Sequence, residues 1–165
     1  MILLTADSSK DFMAKLLVSD AFDHFCMQEA SVMTSVSYNI NGRLHTDFYP
    51  EEERDQYKDE FIPWSEIRPK VFELIKGKNA PVSFRFTLSL KTESMHALMQ
   101  KEIPEGYSSA LKALVINIRF ENGSVIIMTG TSYDSFIMDR SEEKVWDSAF
   151  MKFLTVKDIA FSINE

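Results

Sequence analysis

One cysteine among 165 residues, Cys26, excludes an internal disulfide, and with it the small secreted scaffolds that depend on such bridges. The first residues lack the basic stretch, long apolar run and small-residue cleavage site of a secretory signal. No uninterrupted apolar stretch approaches the roughly 20 residues that cross a bilayer as a helix. Together these absences predict a cytoplasmic protein with no membrane role. Basic residues are also short: 18 Lys and Arg stand against 25 Asp and Glu, a formal charge of −7, whereas a protein whose main task is gripping phosphate ordinarily carries a basic excess. Five glycines and five prolines, scattered singly, leave no linker to divide the chain. The Walker loop, the G-x-S-x-G elbow, the H-E-x-x-H zinc motif, the EF-hand loop and the Gly-rich dinucleotide fingerprint are all missing, which excludes the chemistries tied to those motifs and no others.

What is present is material for a core. Hydrophobic residues make up 45% of the chain and include 13 Phe, which excludes disorder. A chain of this length suits one domain, residues 1–165, and buries roughly 68–70% of its unfolded surface.

Periodicity then sketches the elements. "ILLTA" (2–6) is a short apolar run, followed by Ser8 and Ser9, either of which can cap a helix carrying Phe12, Met13, Leu16 and Leu17. From Phe25 to Ile40 the composition turns to strand, with Val32, Thr34, Val36, Tyr38 and Ile40 alternating against polar neighbours. Asn41 and Gly42 then mark a turn. A two-residue loop there would mix apolar and polar faces, so a three-residue loop over 40–42 is preferred, pairing Tyr38 with Leu44, Val36 with Thr46 and Thr34 with Phe48.

"EEERDQYKDE" (51–60) reads as a solvated, charged excursion. Ile67, Val71, Leu74 and Ile75 lie at helical spacing, with onset near Ser65 to Arg68 because Pro69 is comfortable only in a first turn, and with Gly77 as the stop. "VSFRFTLSL" (82–90) is a strand. Thr92 can cap a helix presenting Met95, Leu98 and Met99. "ALVINIRF" (113–120), Asn122-Gly123 and "SVIIMTGTSY" (124–133) form a hairpin. Ser141 opens a helix with Trp146, Ala149, Phe150 and Phe153 on one face, and "IAFSI" closes as a strand.

Set side by side, the halves share one order of elements. Asn41 and Asn122 are 81 apart, Trp64 and Trp146 are 82 apart, and Phe12 and Met95 are 83 apart, spacings that predict an internal duplication into pseudo-repeats 1–82 and 83–165. The fold class expected is α+β: two tandem β-α-β-β-α-β units, ferredoxin-like or DNA-clamp-like, forming an antiparallel sheet covered on one face by helices. Strand 82–90 either closes the first unit or opens the second.

The segments "DFMAKLLVSDAFDHF" (11–25), "INGRLHTDFYPEEE" (40–53) and "PWSEIRPKVFELIKGKNAPVSFRF" (63–86) resemble an uncharacterised bacterial family of small cytosolic proteins. The resemblance implies no activity, ligand or catalytic residue.

Candidate chemistry is sparse. His24 and Cys26, two apart on a strand, would share a face and could begin a zinc site, but two ligands are too few. His24, Glu29, His45 and Asp47 would offer an acid–base pair if the first strand folded back. The acidic run lacks the glycine and alternating spacing that wrap calcium. "FIPWSEIRPK" holds Phe61, Trp64 and Arg68, residue types favoured at interfaces, although the matching place of Trp146 argues that both tryptophans anchor helices. The sequon "ENGS" is explained by the turn. No catalytic residue, cofactor or metal is assigned. The leading expectation is a non-enzymatic binding protein that meets a protein partner through Phe61, Trp64, Arg68 and the acidic Glu51, Glu52 and Glu53. The alternatives are a clamp-like nucleic-acid accessory factor touching through Lys70, Lys76 and Lys78, and a small acid–base hydrolase using His24 or His45.

Overall fold

A computed structural model describes residues 1–164; the last residue of the expected second unit, 165, lies outside them. The elements follow in the order β1 (Leu3–Ala6), α1 (Ser9–Leu17), β2 (Phe25–Met33), β3 (Ser37–Asn41), two 3-10 turns (Thr46–Phe48 and Glu51–Gln56), β4 (Ile62–Pro63), α2 (Trp64–Ile75), β5 (Ser83–Leu90), α3 (Thr92–Glu102), β6 (Leu111–Glu121), β7 (Ser124–Tyr133), α4 (Ser141–Val156) and β8 (Phe161–Asn164). All strands join one antiparallel, eight-stranded sheet in the order β3-β2-β5-β6-β7-β1-β8, with β4 paired to β2 beyond the end of β3. The protein is therefore α+β, and β5 lies between β2 and β6, so the two halves share a continuous sheet. Corresponding strands do not take corresponding neighbours. β1 lies between β7 and β8, whereas β5, its counterpart at the head of the second half, lies between β2 and β6.

Local chemistry sets most element ends. The Ser8 hydroxyl accepts from the Asp11 N–H and caps α1. Asn122 and Gly123 adopt φ of +54° and +76° and join β6 to β7 with Glu121 opposite Ser124, a two-residue turn whose left-handed backbone matches the strand twist. Helix α2 begins at Trp64, one residue before the expected onset, and Pro69 sits in its second turn, where it leaves one backbone acceptor unused.

The first hairpin differs from expectation. Val32 faces Tyr38 and Met33 faces Ser37, so the chain reverses at Thr34-Ser35-Val36, where the Thr34 N–H donates to the Val36 carbonyl at 2.9 Å. The stretch 25–40 is thus both arms of the hairpin rather than one long strand. Tyr38 does not meet Leu44, and Thr46 to Phe48 form a 3-10 turn rather than a strand. Asn41-Gly42 instead ends β3: the Asn41 side chain accepts from the Arg43 N–H at 2.9 Å, a local turn that releases the chain from the sheet.

Alternation divides the strand residues into two faces. Leu4, Val32, Phe84, Phe86, Ile116, Ile118 and Ile127 belong to one core cluster together with Phe12 and Leu16 of α1, Trp64 and Val71 of α2, Met95 and Met99 of α3, and Trp146 and Phe150 of α4. Each such fully buried Leu or Phe contributes about 1.5–3 kcal/mol of transfer free energy. The intervening strand positions form a polar face that includes Ser31, Arg85, Thr87, Asn117 and Arg119. No helix among the described residues is long and apolar enough to cross a membrane.

Candidate ligand-binding site around the 43–61 excursion

Between Gly42 and Ile62 the chain leaves the sheet edge and returns to it. The Ile62 N–H donates to the Gly42 carbonyl at 2.9 Å and the Leu44 N–H to the Glu60 carbonyl at 3.0 Å, so the ends of the excursion form a narrow neck. Arg43 pairs with Glu60 across that neck and lies over the Phe61 ring. This compact surface loop, closed at its base, is the commonest setting for function on a rigid scaffold.

Two further anchors hold the excursion down. The Tyr49 and Tyr57 rings stack at 4.1 Å, and their hydroxyls donate to the two oxygens of Glu66 on α2 at 2.5 and 2.9 Å. Burial, and then the bond to Glu66, holds the Tyr49 phenol above its ordinary value. At the other end Asp59 accepts from both the N–H and the hydroxyl of Thr92 at 2.9 and 2.6 Å, satisfying the start of α3 from outside the helix. Thr92 is therefore the first residue of α3 rather than its cap.

Four clefts border this excursion. The first, about 630 Å³, lies on the polar face between Gln28, Ser31, Asn39, Asn41 and Arg85, with Arg43 and Phe61 as its wall. The second, also about 630 Å³, opens between Tyr57, Asp59, Lys91 and His96. His96 Nδ1 is bonded to the Tyr107 hydroxyl. A smaller one, about 170 Å³, reaches Cys26 and Ser89 under Arg43, Asp59 and Phe61. The fourth, about 250 Å³, runs between His45, Tyr49, Glu66 and Lys70. Arg43 and Phe61 each line three of these four clefts.

The expected site residues scatter. Phe61 is half-buried at the neck, and Glu51, Glu52 and Glu53 form an exposed 3-10 turn. Trp64 is a correction: it is 0% exposed, its indole N–H donating to the Leu16 carbonyl at 3.0 Å, so it seats α2 on the core and offers nothing to a partner. Trp146 is likewise buried and donates to the Val115 carbonyl at 3.0 Å. Arg68 pairs with Asp23. Lys76 pairs with Glu73 at 2.8 Å, while Lys70 and Lys78 are exposed on and just after α2. Arg85 occupies the polar face of the sheet, away from the core-facing side on which α2 sits.

The acid–base residues also stay apart. His24 is exposed just before β2, Glu29 lines the first cleft, His45 lines the fourth, and Asp47 is exposed. Glu66, which lines the fourth cleft with His45, has both oxygens occupied by tyrosines. Burial pushes the Cys26 thiol up to about 12, which keeps it protonated and a poor nucleophile or metal ligand. No group of three or more His, Cys, Asp or Glu side chains placed to hold a metal ion occurs among the described residues.

Several participants left no sequence signal. Asp59 meets Thr92, His96 meets Tyr107, and Arg85 stands opposite Arg119 only because β2, β5 and β6 are neighbours. A cue did exist at Tyr49, Tyr57 and Glu66, three bonding side chains bracketing a charged run. Neither any curated protein nor any solved structure matches the chain. A match spanning residues 15–162 shows that the chain belongs to a family of unknown function, DUF5721.

Proposed function

We propose that the protein is a non-enzymatic binding module that receives its ligand on the polar face of the sheet, against the wall made by the 43–61 excursion. In this reading the four helices cover the core face and leave the other free. The observation that carries it is the convergence of four clefts on one closed excursion, with Arg43 and Phe61 each lining three of them and together two. Concave sites with a few converging polar groups are where ligands bind. The two half-exposed residues sit on a neck fixed by backbone bonds, so the site is formed before the ligand arrives, which lowers the ordering cost of binding.

The non-enzymatic part rests on chemistry. The one thiol is held protonated, and Glu66, the carboxylate that lines a cleft with His45, is already bonded by two tyrosines. The test is a thermal-shift panel of anionic, cationic and neutral small molecules and short peptides, with each hit mapped by amide hydrogen exchange. Protection over 42–62 and the facing residues of β2 and β3 is expected. Protection confined to α3, α4 or β8, or turnover of a bound hit, would overturn the reading.

A further inference from the structure

The chain has six arginines, and four are engaged. Arg43 pairs with Glu60, Arg54 donates to the Tyr49 carbonyl, Arg68 pairs with Asp23, and Arg140 pairs with Glu143. The other two, Arg85 and Arg119, make no side-chain hydrogen bond or ion pair among the described residues. They are also directly opposite each other, Arg85 on β5 and Arg119 on β6, both exposed on the polar face.

Like charges directly opposite across an antiparallel pair repel and destabilise the sheet. This chain has 25 acidic residues against 18 basic ones, so acceptors were plentiful. Yet the carboxylates nearest in register, Glu29 opposite Thr87 and Glu121 opposite Ser83, bond to neither arginine. The neighbours along the same row are neutral: Asn39 faces Ser31, Ser31 faces Arg85, and Arg119 faces Ile126. The row therefore runs amide, hydroxyl, guanidinium, guanidinium, and its first three members line the 630 Å³ cleft. A guanidinium is a planar fork of N–H donors matched to two oxygens of one oxyanion. Two forks side by side, with a hydroxyl and an amide beyond, offer far more donors than the fold uses.

We propose that Arg85 and Arg119, with Ser31 and Asn39, bind an oxyanionic group, a phosphate or carboxylate, borne by a polar ligand whose remainder lies along the cleft toward Phe61. This rests on the binding-module reading and names the chemistry of its ligand. The oxyanion replaces the missing acceptor, so that a pair which is repulsive when empty becomes a clamp when filled.

The experiment follows the guanidinium Nε–H resonances during titration with inorganic phosphate and, separately, succinate at low ionic strength. The proteins are wild type, R85Q, R119Q, the double variant and the control K78Q. Saturable shifts of the Arg85 and Arg119 signals in wild type and K78Q are expected, with binding about tenfold weaker in each single variant and absent in the double. The preferred titrant identifies the source of the anion. In anion-free buffer each single variant is expected to melt higher than wild type, because repulsion is relieved, and phosphate or succinate should reverse that order. Shifts linear in salt, equal response of the double variant, or lower melting of R85Q and R119Q without anion would overturn the inference. A neutral ligand protecting the same cleft while both anions fail would sink this inference and leave the module reading standing. Anion binding at the arginines with ligand protection elsewhere would do the reverse.

Discussion

Gly42 approaches Met27 so closely that a β-carbon built on it would stand 1.9 Å from the Met27 carbonyl oxygen. The same glycine donates to Gln28 at 2.8 Å and accepts from Ile62, at the point where the pairing of β2 with β5 shifts register. The obstacle is backbone, which cannot swing aside. Gly42→Ala is expected to destabilise by at least the roughly 1–3 kcal/mol of an overpacked site. Urea denaturation measures it, and an unchanged midpoint would show that the neck yields freely.

The two tryptophans give an optical test of the core. Both are buried and bonded to backbone carbonyls, so their emission should be blue-shifted and shielded from iodide. Trp64→Ala should cost about 3–5 kcal/mol, the usual range for deleting a large core aromatic. Strong iodide quenching of the Trp146→Phe protein, in which Trp64 alone emits, would contradict the placement.

Loss of the Tyr49 and Tyr57 hydroxyls should free the excursion without unfolding the domain. In the doubly substituted protein, Tyr49→Phe with Tyr57→Phe, amide exchange over 46–57 is expected to quicken several-fold. Global stability should change by less than about 1 kcal/mol, since the groups lie near the surface. Asp59→Ala should act on α3 instead, at about 0.5–2 kcal/mol for a lost helix-start acceptor.

Alkali should weaken the protein through its buried thiol and phenol. The Cys26 thiol is raised by burial from 9.0 to about 12. Burial, then the nearby Glu142, raises Tyr133 from 10.0 to about 12. Both groups ionise more readily in the unfolded chain, which therefore holds fewer protons between these values. Stability is full below about pH 9 and falls as pH rises toward about 12. Cys26→Ala should flatten part of that slope in denaturation curves taken across this range. In the native protein Cys26 should resist thiol reagents at pH 8, and rapid labelling there would contradict the burial.

Much of this fold was written in local pattern. The hairpin at Asn122-Gly123 was legible because its turn residues and its alternating arms agree, and α4 because Trp146, Ala149, Phe150 and Phe153 mark one face. The first hairpin misled for a physical reason. Its true reversal, Thr34-Ser35-Val36, contains no glycine, proline, asparagine or aspartate, while Gly42 serves a close contact with another strand. The site was less legible still, because the bonds that build it join residues distant in sequence. Arg85 and Arg119 are unremarkable alternate residues of two strands until the ladder sets them face to face.

The place of β1 bears on how the molecule assembles. Its partners are β7 and β8, and the Thr5 hydroxyl meets Asn164 across 159 residues of chain. β1 must therefore wait for partners made long after it, and closing so long a loop is entropically slow. Leu4→Ala, in the middle of that strand, should hasten unfolding while leaving the refolding rate nearly unchanged, a split that stopped-flow kinetics would reveal.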